Sequence, residues 1–170
     1  MSRDLEGPAP ESSAGRGEGP PNPASNLQAI QREVLERAAG MLASGDMLSL
    51  SRLLPIDRSV EGDWYVLRIP LLPFFLNPLG ILHGGVTAVF LDSAMGWSIA
   101  DRTGRQVVTV QLNVNYVKPG RGEKLVVRAH PTHTGRFTAV AEGRVEDPAG
   151  DLISQGTGTF FFTGEPAPRL

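Results

Sequence analysis

A chain of 170 residues with 41% apolar side chains is sized for one domain with its own core. Lys and Arg number 16 against 18 Asp and Glu, a net charge of −2 that excludes the basic face of a nucleic-acid binder. With no cysteine, disulfides, thiolate metal sites and a cysteine nucleophile are excluded as well.

The first 24 residues are rich in Gly, Pro, Ser and charge and are expected to form a disordered tail. They lack the basic patch and apolar run of a signal peptide. Farther on, Pro73, Asn77, Pro78, His83 and Asp92 interrupt the apolar zone that begins at Leu71, so no membrane span is expected. A cytoplasmic protein is the resulting expectation.

A helix is predicted from Ser25, which forms a Ser-x-x-Gln capping box with Gln28. Leu27, Ile30, Val34, Ala38 and Met41 recur at helical spacing, and Gly45 is the stop. Two strands are then expected, Leu48 to Ile56 and Trp64 to Leu71, with the charged segment Asp57 to Asp63 as the loop of a hairpin.

The stretch Asn77-Pro78-Leu79-Gly80-Ile81-Leu82-His83-Gly84-Gly85 feeds a second helix that is apolar on nearly every side. From Ile69 to Ala100 the only residue with a formal charge at neutral pH is Asp92. An isolated carboxylate in such surroundings is a candidate general base or nucleophile. Gly84 and Gly85 open the helix, where backbone N–H groups have no intrahelical partner and can polarise a carbonyl or hold an oxyanion. Asn77 adds an amide donor and acceptor.

Thr103-Gly104-Arg105 ends the helix, and an alternating strand follows. Val108, Val110, Leu112, Val114 and Tyr116 are expected on one face, with Thr109, Gln111, Asn113 and Asn115 on the other. Leu125 to His133, Phe137 to Glu146 and Leu152 to Phe162 make three more strands, with a loose tail from Gly164. Two strands, a buried helix and four strands make an α+β domain over residues 25–163: a curved antiparallel sheet of about six strands wrapped around one central helix, preceded by an N-terminal helix. His130 and His133, three apart on a strand, point to opposite faces unless a bulge intervenes, so no metal site is expected.

Gly84 and Asp92 are separated by about 12 Å of helix. One reacting group hydrogen-bonds over about 3 Å and cannot touch both within a subunit. If both serve one reaction, a two-fold dimer must pair Gly84 of one copy with Asp92 of the other.

Asn-x-x-Gly-x-x-His-Gly-Gly, with an Asp eight residues after the first paired glycine, resembles the PaaI-type acyl-CoA thioesterases of the hotdog fold, over residues 26–163. The resemblance implies hydrolysis of an acyl-CoA to a free acid and CoA, without a cofactor, by a homodimer or a tetramer of two dimers. In it Asp92 attacks the thioester or activates water, Gly84 N–H polarises the carbonyl, and Asn77 positions substrate or water. His83 holds the turn, and Thr109 assists from the long strand, although alternation sets it opposite the Val108 and Val110 face. CoA is implied to run over Gly85, Gln111, the segment Tyr116, Val117, Lys118, Pro119 and Arg121, and the turn His133, Thr134, Gly135, Arg136 and Phe137. Lys118, Arg121 and Arg136 are the phosphate candidates. Two rivals stay open on the same fold: a non-catalytic acyl-CoA binder, and an enoyl-CoA hydratase or dehydratase using His83. Phe74, Phe75, Phe90, Met95 and Trp97 are candidates for an acyl pocket or for core.

Overall fold

The first strand is the segment expected to be a loop. In the computed structural model, which describes residues 23–45 and 50–167, Asp57–Glu61 forms β1 and pairs antiparallel with β2, Trp64–Pro70. The turn between them is only Gly62-Asp63, with Gly62 at φ +62°, as a two-residue hairpin with glycine first requires. β1 is an edge strand, so its polar side chains need no second apolar neighbour. The expected strand at Leu48–Ile56 is overturned too: Leu50–Leu53 is a short helix, α2.

The N-terminal helix, α1, spans Pro23–Ser44 and so begins before Ser25, which overturns the capping box. Proline suits a first helical position, where its missing N–H has no partner to lose. The packing stripe holds: Val34 and Met41 are buried, with Leu27 and Ile30 against the core. The tail expected over residues 1–24 lies outside the described residues up to Asn22.

The central helix, α3, spans Gly84–Thr103. It is followed by β3 (Arg105–Tyr116), β4 (Lys124–Thr134), β5 (Thr138–Glu146) and β6 (Leu152–Pro166). The six strands form one antiparallel sheet in the order β1-β2-β4-β5-β6-β3, curved around α3. Phe90, Leu91, Ala94, Met95 and Ile99 of α3 are buried against Leu67, Ile69, Leu125, Val127, Ala141 and Phe160 of the sheet. Close approach depends on Gly143 and Gly156, paired across β5 and β6. A Cβ on Gly156 would stand 2.6 Å from the Asn113 carbonyl oxygen, and one on Gly143 3.0 Å from Leu91 Cδ2.

The C-terminal tail is not loose from Gly164. β6 continues to Pro166, and the Ala167 N–H donates to Gly104 O at 2.9 Å. On the face of the sheet away from α3, Glu61 accepts from Arg128 at 2.7 Å and from Arg68, while Arg128 also donates to Glu146 at 3.3 Å. Arg128 first, then Arg68, holds the Glu61 carboxyl down to about 2.

β3 departs from strict alternation. Thr109 pairs with Phe160 but Gln111 pairs with Thr159, so Val110 is bulged out between them. Before the bulge Val107 and Thr109 face α3, whereas after it Leu112 and Val114 do. Val108 and Val110, expected inward, are 50% and 63% exposed. A second bulge, between Pro131 and His133, places His133 opposite Val140. His130 and His133 therefore share the outer face, where His130 Nε2 lies 2.9 Å from Glu142 Oε1. Among the described residues no cluster of three metal-ligating side chains occurs, and no helix is long and apolar enough to cross a membrane.

Candidate active site

The entry to α3 is a closed loop built by Asn77. Its side-chain oxygen accepts from the N–H groups of Leu79 at 2.9 Å and Ile81 at 3.4 Å, and its own N–H donates to Ile81 O at 2.8 Å. Gly80, at φ +66°, supplies the left-handed residue the reversal needs. His83 N–H then donates to Phe75 O at 2.9 Å, which fixes His83 as the N-cap of α3. Its Nδ1 accepts the Gly85 N–H at 3.0 Å, so the neutral ring carries its proton on Nε2.

That capping bond occupies the Gly85 N–H, and the N–H groups of Gly84 and Val86 at this helix end have no hydrogen-bond partner among the described residues. The Tyr116 hydroxyl donates to Gly84 O at 2.8 Å, and its ring stands 3.3 Å from where a Gly84 Cβ would be. Asn77, Gly84, Thr87, Tyr116, Val117, Lys118 and Pro119 all border one cleft of about 360 Å³.

Asp92 lies elsewhere. The Thr109 hydroxyl donates to its Oδ1 at 2.7 Å, so the bulge that overturned the expected strand face delivers Thr109 to Asp92. Both border a second cavity of about 250 Å³ with Ser93, Gly96, Trp97, Ala100, Gln106, Val107 and Phe160. Among the described residues none borders both cavities. Ser93, Gly96 and Gln106 were not expected at the site. Gly96 was within reach of the sequence, being one helical turn beyond Asp92; Gln106 was not, because its place depends on how β3 crosses the helix.

The expected CoA residues divide in the same way. Tyr116 to Pro119 sit at the end of β3, while the turn His133 to Phe137 sits at its beginning, where Arg105 donates to Arg136 O at 2.9 Å. Twelve strand residues separate those ends by about 35 Å. Gln111 pairs with Thr159 on the outer face and reaches neither cavity. Lys118 is not a free cation: it bridges Asp147 at 3.1 Å and Asp151 at 2.8 Å, and these carboxylates, Asp151 foremost, raise its pKa. Arg136 stacks 5.0 Å from the Phe137 ring centre. Arg121 is exposed. Of the acyl-pocket candidates, Phe75, Phe90 and Met95 are core, Phe74 is exposed, and Trp97 borders the Asp92 cavity.

A curved antiparallel sheet around one buried helix, with a capped glycine at the helix mouth and a carboxylate two turns on, defines a hotdog-fold protein. The thioesterase superfamily profile matches residues 79–154. Acyl-coenzyme A thioesterase 13 of Mus musculus is 36% identical over 86 residues, which cover 49% of this chain and 61% of that protein. The crystal structure of the BH2602 protein of Bacillus halodurans with CoA superposes with a TM-score of 0.67 at 33% identity, covering 79% of this chain and 91% of that one. The smu.793 protein of Streptococcus mutans, bound to acetyl CoA, gives 0.61 at 29% identity, covering 65% and 90%. This chain belongs to the thioesterase superfamily. The match spans about six tenths of the length of the first curated relatives, 62% and 61%.

Proposed function

We propose that the protein hydrolyses acyl-CoA thioesters to a free acid and CoA, at sites completed by two copies of the chain. The observation that carries this is the separation of the donor, Gly84 N–H, and the carboxylate, Asp92, into cavities with no common residue among those described. β3 is an edge strand. Antiparallel pairing of two β3 edges about an axis near Leu112 would bring Thr109 and Asp92 of one copy beside Tyr116 and Gly84 of the other. The same rotation would bring the His133–Phe137 turn toward Arg121, uniting the two CoA segments.

In such a site Gly84 N–H donates to the thioester oxygen, and Asn77, whose oxygen is used in the loop, offers its amide hydrogens. Thr109 occupies Asp92 Oδ1, which leaves Oδ2 for the reaction. As a base, Asp92 takes a proton from water while the water oxygen attacks the carbonyl carbon; collapse expels CoA thiolate, which recovers that proton. As a nucleophile, it attacks the carbonyl carbon and expels CoA thiolate to leave a mixed anhydride; water then opens the anhydride to the free acid and the Asp92 carboxylate, and the proton released goes to the thiolate. The relatives crystallised with CoA or acetyl CoA support the substrate class. Engagement of His83 Nδ1 in capping favours thioester hydrolysis over a hydratase that needs this imidazole as base.

The test is thiol release from a panel of acyl- and aryl-CoA esters. Turnover that requires Asp92 is expected; binding without turnover of any ester would leave the non-catalytic binder instead.

A further inference from the structure

The cavity beside Asp92 has walls that the hydrolytic chemistry does not require. Along α3 it runs from Asp92 past Ser93 and Gly96 to Ala100, about 12 Å of helix. Val107 and Phe160 close one side and the Trp97 indole another. At Gly96 a Cβ would stand in ordinary contact, 3.6 Å from the Phe160 ring and 3.9 Å from a Val107 methyl, so a branched side chain there would take up space beside that aromatic wall. Trp97 is braced by Arg58, whose guanidinium lies 4.8 Å over the indole centre and is not among the residues lining the cavity. Arg58 belongs to β1, at the opposite edge of the sheet from β3.

The volume sets a scale. An apolar protein cavity of about 150 Å³ accommodates benzene, and by that proportion about 250 Å³ holds roughly ten carbon atoms. Trp97, Phe160, Val107 and Ala100 supply its apolar lining.

Resting on the thioesterase reading above, we propose that this cavity takes the acyl group and that Trp97, braced by Arg58, is its specificity-determining wall. Gly96 adds no side chain beside Phe160. Acyl groups of hexanoyl, octanoyl or benzoyl size fill the space, and a myristoyl chain overruns it. Arg58 is a positioning residue, acting only through the indole.

Two measurements test this. The chain has two tryptophans, so Trp64→Phe leaves Trp97 as the single fluorophore. Titrating that protein with non-hydrolysable S-octyl-CoA and S-benzyl-CoA thioethers is expected to change Trp97 emission, whereas CoA alone is not. An unchanged emission on saturable binding of both thioethers would overturn the assignment. Second, the kcat/KM ratio of octanoyl-CoA to myristoyl-CoA is expected to fall by about tenfold in Trp97→Ala and by less in Arg58→Gln. Gly96→Val shifts preference toward acetyl-CoA. Ratios unchanged in all three variants, with hydrolysis intact, would overturn the proposal while leaving thioester hydrolysis standing. Conversely, a Trp97 response to the thioethers in a protein that hydrolyses no ester supports the pocket and rejects the hydrolase. If Trp97→Ala does not fold, Gly96→Val and the emission change decide, since a Cβ at Gly96 meets only ordinary contacts.

Discussion

Thr109 Oγ1 donates to Asp92 Oδ1 at 2.7 Å, and this bond ties the edge strand β3 to the central helix at the one charged residue of its apolar stretch. It fixes which carboxylate oxygen stays available. Asp92→Asn keeps an oxygen that Thr109 can reach but loses the proton acceptor, so kcat/KM should fall by about 10²–10⁴. Thr109→Val removes only the orientation and should cost about tenfold. Thiol release checks both, and near-normal turnover in Asp92→Asn would reject the assigned chemistry.

A shared site makes a different demand. Gly84→Pro removes the unpartnered N–H at a position where proline's backbone is tolerated, and alone it should abolish most activity. Co-refolding equal amounts of Gly84→Pro and Asp92→Asn chains should restore about a quarter of wild-type activity, from heterodimers holding one intact site. No recovery in verified heterodimers would place the whole reaction within one subunit.

The two cations at the end of β3 should separate experimentally. Lys118 is held by Asp147 and Asp151 across the β5–β6 turn, so Lys118→Met should lower thermal stability and leave KM for acyl-CoA nearly unchanged. Arg121→Ala should do the reverse, raising KM severalfold as a phosphate contact is lost. KM values and melting curves of the pair are the readout.

Stability in acid should depend on Glu61. Its carboxyl titrates near 2 in the folded chain against 4.5 ordinarily, so the stabilisation is present above pH 4.5 and is lost as pH falls toward about 2. Glu61→Gln should therefore melt below wild type at pH 7, with the gap closing between pH 4.5 and about 2. A gap independent of pH would show that the ion pairs are not its source.

Two glycines near α3 should respond oppositely. Gly156→Ala sets a methyl 2.6 Å from a backbone oxygen of β3 and should destabilise by about 1–3 kcal/mol. Gly96→Ala meets Phe160 and Val107 only at ordinary contact distance and should be neutral or stabilising by up to about 1 kcal/mol. Denaturant midpoints compare them directly.

What could be read beforehand follows from how local each signal is. α3 and the four strands after it were legible because their periodicity runs over long stretches, and the distance from Gly84 to Asp92 followed from helical rise alone. Leu48 to Ile56 misled because a short apolar run suits helix and strand equally. β1 was hidden by its charge: Ser59 and Glu61 are satisfied by Arg68 across the hairpin, and Arg58 lies over the ring of Trp97, a residue distant in sequence. Nothing in Val108-Thr109-Val110-Gln111-Leu112 marks a bulge, since its alternation is unbroken. The displacement is set by what lies opposite, Phe160 and Thr159 on β6 and Asp92 on α3.

That bulge has a further consequence for any comparison by alignment. On either side of Val110 the strand obeys one rule in two different frames, and only the extra residue lets Thr109 and Leu112 both turn inward. A relative whose strand is regular would align here with a one-residue gap. Set without the gap, side chains counted as equivalent on one side of Val110 would point in opposite directions on the other, and a threonine facing solvent would be mistaken for one that holds the carboxylate.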